Sequence, residues 1–214
     1  MQPDVLQAKA HGMGLAMSSS QAQALQAYVG LLLKWNKVYN LTALRQSDEV
    51  WSHHILDSLA ALAALLTQVG GAKHILDVGS GGGLPGVVWA IMQPAWQVTC
   101  LDAVAKKMAF VQQASHALGL ASRLQAGHCR VQDHSGQYDV ITSRAFAALS
   151  DFVSCTPHLL AANGHWFALK GKYPEQELAQ LAHDWPQVEV FHVEQLQVPD
   201  LPEQRCVLWM RPQV

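Results

Sequence analysis

The apolar positions of this chain change rhythm once. Up to about residue 70 they recur at helical spacing: Ala24, Leu25, Tyr28, Val29, Leu32, Leu33 and Trp35 follow the capping candidates Ser18 to Ser20 and predict a helix. A second helix is expected from Ser47, with Asp48 and Glu49 in its first turn. Its apolar stripe is Ile55, Leu59, Leu62 and Leu66, and Gly70-Gly71 ends it. From Lys73 onward short β-rich runs take over, at 74–78, 96–101, 138–142 and 165–169, with a weaker one at 123–126, and they read as buried strands. Helical stretches at 85–92, 104–118, 149–160 and 175–183 fall between them; Gly119 closes the second and Asn163-Gly164 the third. Strand and helix in alternation imply a parallel sheet with right-handed crossovers. The last two strands, 188–193 and 206–210, have no helix between them, and their connection holds Pro199 and Pro202. That suits an antiparallel hairpin at the edge of the sheet. The expected organisation is a helical extension, residues 1–70, packed on an α/β core, residues 71–214.

Composition narrows the function classes. Of 214 residues half are hydrophobic and 14 % charged, so the chain supports one large core and is too apolar for disorder. A net charge of −2 excludes a uniformly basic nucleic-acid binder, but the average hides a division. Residues 1–174 hold twelve Lys/Arg against nine Asp/Glu, a net +3, while residues 175–214 hold two against seven, a net −5. Three acid-free gaps carry Lys9, Lys34, Lys37 and Arg45, then Lys106, Lys107, Arg123 and Arg130, then Lys170 and Lys172. Such a face suits a phosphate backbone.

The longest wholly Leu/Ala run, Leu59 to Leu66, is far too short to span a bilayer, and Met1 to Met17 has no continuous apolar core for a signal peptide. A cytoplasmic protein without membrane attachment, acting as a monomer, is expected. Cys100, Cys129, Cys155 and Cys206 lie at least 26 residues apart and read as reduced. His53-His54 invites a metal reading, but there is no H-E-x-x-H, and Asp57 is read as the helical i,i+4 partner of His53, so no metal is expected.

The segment Ile75-Leu76-Asp77-Val78-Gly79-Ser80-Gly81-Gly82-Gly83 carries the most chemistry. A buried strand runs into an acid and a glycine cluster, with Pro85 at the expected first helical position. Glycines there let the backbone turn sharply and approach a ligand, beside the free N–H groups of a helix start. Leu84 stands where a dinucleotide fingerprint has its third glycine, which disfavours NAD. The remaining D-x-G-x-G-x-G suits a cofactor with an amino-acid tail and no pyrophosphate, such as S-adenosylmethionine. Asp102, 23 residues after Gly79 at the end of the second strand, is placed to accept both ribose hydroxyls, or else to cap the helix from Val104. Val131-Gln132-Asp133 occupies the usual adenine position.

On the acceptor side the fourth strand ends in Ile141-Thr142-Ser143-Arg144-Ala145-Phe146, with neither the [DN]-P-P-[YF] tetrapeptide of exocyclic-amine methylation nor a cysteine nucleophile for pyrimidine carbon-5. A ring nitrogen with its own lone pair needs neither, only positioning and exclusion of water. Arg144 is a candidate for the cofactor carboxylate, an RNA phosphate or a base edge, against a structural ion pair with Asp139 or Asp151.

Five strings now match a known family: Lys34-Trp35-Asn36-Lys37-Val38-Tyr39-Asn40-Leu41-Thr42; His54-Ile55-Leu56-Asp57-Ser58-Leu59; Asp77 to Gly81 with Leu84-Pro85-Gly86; Ser143 to Ala147; and Leu169-Lys170-Gly171. In these the chain resembles RsmG, also called GidB or glucose-inhibited division protein B, from about Leu25 to Arg211. The resemblance implies a class I S-adenosylmethionine-dependent methyltransferase fold, Rossmann-like, with a seven-stranded mostly parallel sheet and an antiparallel C-terminal hairpin. It implies methylation of guanine N(7) in 16S ribosomal RNA, in the 530 loop, with the small subunit or an assembly intermediate as partner. Carried over, cofactor contacts fall at Gly79, Gly81, Leu84, Asp102, Val131, Gln132 and Arg144. Lys34, Lys37, Asn40, Arg45 and His54 become RNA-contact candidates, joined by Lys170 and Lys172 from the acid-free gaps; Arg144 and His54 are candidates for positioning the base. Trp35, Tyr39 and Leu41 are read as core packing. Gln132 stands where the family usually has Glu, and His53 where a basic Arg or Lys often stands. The competing readings are a methyltransferase of this fold acting on a small molecule or protein, and a non-catalytic cofactor-binding module of ribosome assembly.

Overall fold

The computed structural model describes residues 1–71 and 73–213. Its centre is a seven-stranded sheet in the order β3-β2-β1-β4-β5-β7-β6. The strands are β1 (His74–Val78), β2 (Gln97–Leu101), β3 (Leu124–Gly127), β4 (Tyr138–Arg144), β5 (Leu160–Lys170), β6 (Val188–Leu196) and β7 (Arg205–Pro212). The first five pair in parallel, while β7 runs antiparallel to both β5 and β6. The C-terminal hairpin thus closes one edge, as its helix-free connection implied.

The apolar runs are continuous because both faces of the sheet are covered. Ile75, Val98, Cys100, Val140, Phe167 and Trp209 face one core; Leu76, Val78, Leu101, Ile141, Trp166 and Leu208 face the other. Helices α7 (Leu149–Cys155) and α8 (Glu175–Asp184) cover the second face through Leu149, Phe152, Val153 and Leu181. The first face lies beneath α5 (Gly86–Met92), α6 (Ala105–Ala117) and the N-terminal helices, which contribute to one continuous apolar cluster. These are α1 (Pro3–Gly12), α2 (Ser19–Tyr39), α3 (Ser47–Val50) and α4 (Asp57–Gln68). Ser18 and Gln21 form a reciprocal capping box at the start of α2.

Helix α3 continues into α4 through a π-helical segment, Trp51–Leu56, which periodicity alone did not reveal. The whole stretch Ser47–Gln68 is long and apolar enough to cross a membrane, yet 72 % of its most apolar window is buried inside the protein. Its apolar side is therefore accounted for by the core.

The helix expected over 149–160 stops earlier. Pro157 offers no N–H, so α7 ends at Cys155, a 3-10 turn spans Pro157–Leu159, and β5 begins at Leu160. Asn163 and Gly164 then lie inside β5, where its register against β4 shifts, rather than ending a helix. A side chain at Gly164 would meet the Tyr138 carbonyl oxygen at 2.9 Å, so the irregularity depends on its lacking one.

Candidate functional site

The site forms at the C-terminal ends of the parallel strands, around the loop that follows β1. Gly79, Gly81 and Gly83 take φ values of 67°, 60° and 87°, a region that side chains with a Cβ rarely occupy. The N–H groups of Gly79 and Ser80 donate to the Leu101 carbonyl at 2.8 and 3.1 Å, and those of Gly83 and Leu84 to the Ser80 carbonyl at 2.8 and 3.0 Å. The loop is thereby tied to β2 and folded on itself.

Asp77 faces the start of α5. Its Oδ2 accepts the Gly86 N–H at 2.8 Å beneath the start of α5, and it lines neither cavity described below. Its role is to hold the helix entry. Burial pushes its carboxyl up to about 7, against the opposing pull of the Gly86 bond and of Arg144. The folded protein then binds this proton more tightly than the unfolded chain, so the Asp77 contribution to stability falls as pH rises from about 4 to about 7. Asp77→Asn keeps an acceptor for Gly86 and removes the ionisation. The margin of its thermal midpoint over wild type should widen from pH 5 to pH 8; a margin that narrows would mean that the ionised carboxylate is stabilising.

Two cavities, of about 550 and 320 Å³, share Gly79 and Ala145 as a boundary. Asp102, Val131, Gln132, Lys107 and Phe146 line the smaller one. Asp102 caps the turn into α6, its Oδ1 accepting the Val104 N–H at 2.9 Å, while Oδ2 accepts the Gly81 N–H at 3.1 Å and Lys107 Nζ at 3.3 Å. Val131 is buried, and Gln132 is exposed, its amide donating to Cys155 Sγ at 3.3 Å. The Phe146 ring lies over Gly79, so close that a Cβ on Gly79 would fall 2.5 Å from it.

Gly81, Leu84, His54, Asp57, Arg144 and Arg205 line the larger cavity. Arg144 does form an ion pair, but with neither expected acid. Its Nη1 donates to Asp57 Oδ2 at 3.1 Å and to the His53 carbonyl at 3.0 Å, and its Nη2 lies 3.3 Å from His54 Nδ1. Asp139 instead accepts the His74 N–H. With 18 % of its side chain exposed, Arg144 is less open than a strand end suggests. Asp57, 5 % exposed, also takes Arg205 Nε at 3.1 Å and thus joins β4 and β7 to the N-terminal helices. It is not the partner of His53, whose Nδ1 meets Ser52 Oγ at 2.8 Å. His54 Nε2 meets Thr42 Oγ1 at 2.7 Å; burial and then the Arg144 charge push this imidazole down to about 3, so it is neutral at physiological pH. Arg205 reaches the site from β7, and nothing local in the sequence marks it.

Comparison with known proteins decides the family. The family model described as rRNA small subunit methyltransferase G, GidB, matches residues 21–207. The chain belongs to the GidB family. A curated GidB relative from Acidovorax ebreus, named ribosomal RNA small subunit methyltransferase G, is 52 % identical over 212 residues, covering 95 % of this chain and 92 % of its own length. The protein of that name from Leptothrix cholodnii is 50 % identical over 216 residues, covering 99 % and 97 %. Among solved structures, ribosomal protein L11 methylase of Lactobacillus delbrueckii aligns at TM-score 0.57 and 15 % identity, covering 74 % of this chain and 79 % of that one. The B. subtilis tRNA methyltransferase TrmK aligns at 0.58 and 10 %, covering 74 % and 66 %. These two likenesses show the fold. As a GidB protein the chain is an rRNA methyltransferase, and its methyl donor is S-adenosylmethionine.

The GidB residues present fit that donor. A buried carboxylate, Asp102, lines one cavity, a guanidinium lines the other, and the glycine loop gives backbone access at their boundary. The expected RNA contacts divide. Lys34, Lys37 and Lys172 are exposed, while Asn40 caps α2 in a left-handed conformation (φ 49°) and accepts Arg45 Nη2 at 3.1 Å. Lys170 lines the larger cavity with its charge already paired, Nζ being held by Glu177 at 2.7 Å and by the Ala147 carbonyl at 3.0 Å. Tyr39 is 40 % exposed, at the edge of packing against Trp35 rather than within the core.

Proposed function

We propose that the chain methylates N(7) of one guanine in 16S rRNA, within the 530 loop. The supporting observation is the chemistry of the larger cavity. Its carboxylate, Asp57, is taken up by two guanidiniums, its His54 is held neutral by burial, and burial pushes the Cys206 thiol up, away from the thiolate. Methylating an exocyclic amine leaves a proton to remove, and methylating pyrimidine carbon-5 needs an activated thiol; guanine N(7) is an unprotonated acceptor that needs neither. S-adenosylmethionine, when bound, supplies a methyl group on a cationic sulfur. The chain's residues bind and orient: Asp102 accepts the ribose hydroxyls, Val131 and Gln132 meet the adenine, Gly79, Gly81 and Leu84 form the floor, and Arg144 neutralises the amino-acid carboxylate. His54 fixes the Arg144 side of the base pocket, while Lys34, Lys37, Arg45 and Lys172 take phosphates.

Incubation with labelled S-adenosylmethionine and undermethylated small subunits, or RNA from them, is expected to label a single guanine and make it open to strand scission after borohydride reduction. Label on an exocyclic amine, on carbon or on no RNA form would reject the N(7) assignment.

A further inference from the structure

Helix α2 reaches under the glycine loop. The Tyr28 hydroxyl, fully buried, donates to the Gly82 carbonyl at 2.6 Å, and one turn further along Leu32 lies where a Cβ on Gly82 would be 3.0 Å from its Cδ1. At the far end of the neighbouring helix, the Gln21 amide donates to the carbonyls of Ile91 and Met92 at 3.2 and 2.9 Å, so α2 grips both ends of the segment from Gly82 to Met92. The Gly82–Gly83 peptide is held from two sides: its carbonyl by Tyr28, and its N–H, from Gly83, by the Ser80 carbonyl at 2.8 Å.

That arrangement matters because the peptide sits between two glycines, Gly82 and the positive-φ Gly83, where the absence of side chains leaves little steric resistance to rotation. Without an anchor, a flip would turn the Gly82 carbonyl away from Tyr28 and change the surface of a loop whose Gly79, Ser80, Gly81 and Gly82 line the cavity. We propose that Tyr28 is a positioning residue for cofactor binding, its hydroxyl locking the Gly82 peptide so that the loop presents one surface to S-adenosylmethionine. The N-terminal helices thereby belong to the cofactor site as well as to the substrate side. Burial raises the Tyr28 pKa well above its ordinary value, which keeps the hydroxyl protonated and donating.

The inference rests on the glycine loop being the cofactor floor, which Gly81→Val, discussed below, tests separately. Tyr28→Phe removes one oxygen and keeps the ring. Calorimetry with S-adenosylhomocysteine, well below the melting transition, should show affinity weakened about five- to tenfold, the range for a lost buried hydrogen bond. KM for S-adenosylmethionine should rise in step, with KM for the ribosomal substrate unchanged. Val29→Ala, a core truncation on the same helix with no polar group to offer the loop, controls for destabilisation and should keep wild-type affinity. Unchanged affinity in Tyr28→Phe, or equal weakening in both variants, would overturn the proposal. Loss of folded Tyr28→Phe protein would count against it too, since that describes a purely structural bond.

Discussion

Arg144→Ala should reduce methyl transfer at least tenfold, the largest loss expected from any single side chain of the larger cavity. One guanidinium there serves Asp57, the His53 carbonyl and the edge of His54 at once, and it still lines the cavity. Its removal takes away the positive charge proposed for the cofactor carboxylate. It also leaves Asp57, 5 % exposed, with Arg205 as its remaining cationic partner. Stripping one partner from a buried ion pair costs on the order of 3–5 kcal/mol where no other cation remains, and less here. The thermal midpoint should therefore fall as well, and activity is best compared well below it. Arg144→Lys is expected to restore stability in part and transfer hardly at all, because an ammonium cannot reproduce a planar fork that spans Asp57 and the His53 carbonyl. Single-turnover transfer together with S-adenosylhomocysteine calorimetry checks this. Wild-type rate and affinity in folded Arg144→Ala would remove Arg144 from the site.

What could be read before folding was local. Strands 74–78 and 138–142 showed as apolar runs because helices cover both faces of the sheet, and the final hairpin showed because no helix separates its strands. The places of the glycine loop and Asp102 in the fold were legible because each lies directly after a strand. Failures came where a distant partner decides the outcome. Arg144 and Asp57 are 87 residues apart and Arg205 and Asp57 are 148 apart, so no spacing rule could pair them, and the nearer His53 was the natural but incorrect choice. Lys170 counted as a free charge until the fold brought α8, with Glu177, against the end of β5. Asp77 directly precedes the glycines, but its side-chain direction, set by strand alternation, sends it under α5, and only the fold shows this. The π-helical turn at His53-His54 has the same apolar stripe as an α-helix and leaves no mark in periodicity.

Gly81→Val separates the loop's part in the fold from its part in binding. The residue sits at φ 60°, and among the described residues no heavy atom beyond its chain neighbours lies within 4 Å of where its Cβ would be, so the new side chain meets none of their walls. What it meets is the cavity, which Gly81 lines. The backbone cost is about 1–2 kcal/mol for a left-handed residue with a Cβ, and more for a β-branched one. In a chain of this length each kcal/mol lowers the thermal midpoint by about 2–4 °C. The fold should survive, while S-adenosylhomocysteine binding should weaken about 100-fold or beyond detection by calorimetry, because two methyl groups occupy the floor and disturb the Gly81 N–H to Asp102 bond. Gly119 supplies the control. It too has positive φ, 67°, with nothing within 4 Å of where a Cβ would stand, but it follows α6 and borders neither cavity. Gly119→Val should lose comparable stability and keep wild-type affinity. If the two variants bind alike, strain rather than occupancy is responsible, and the cofactor does not lie on the glycine loop.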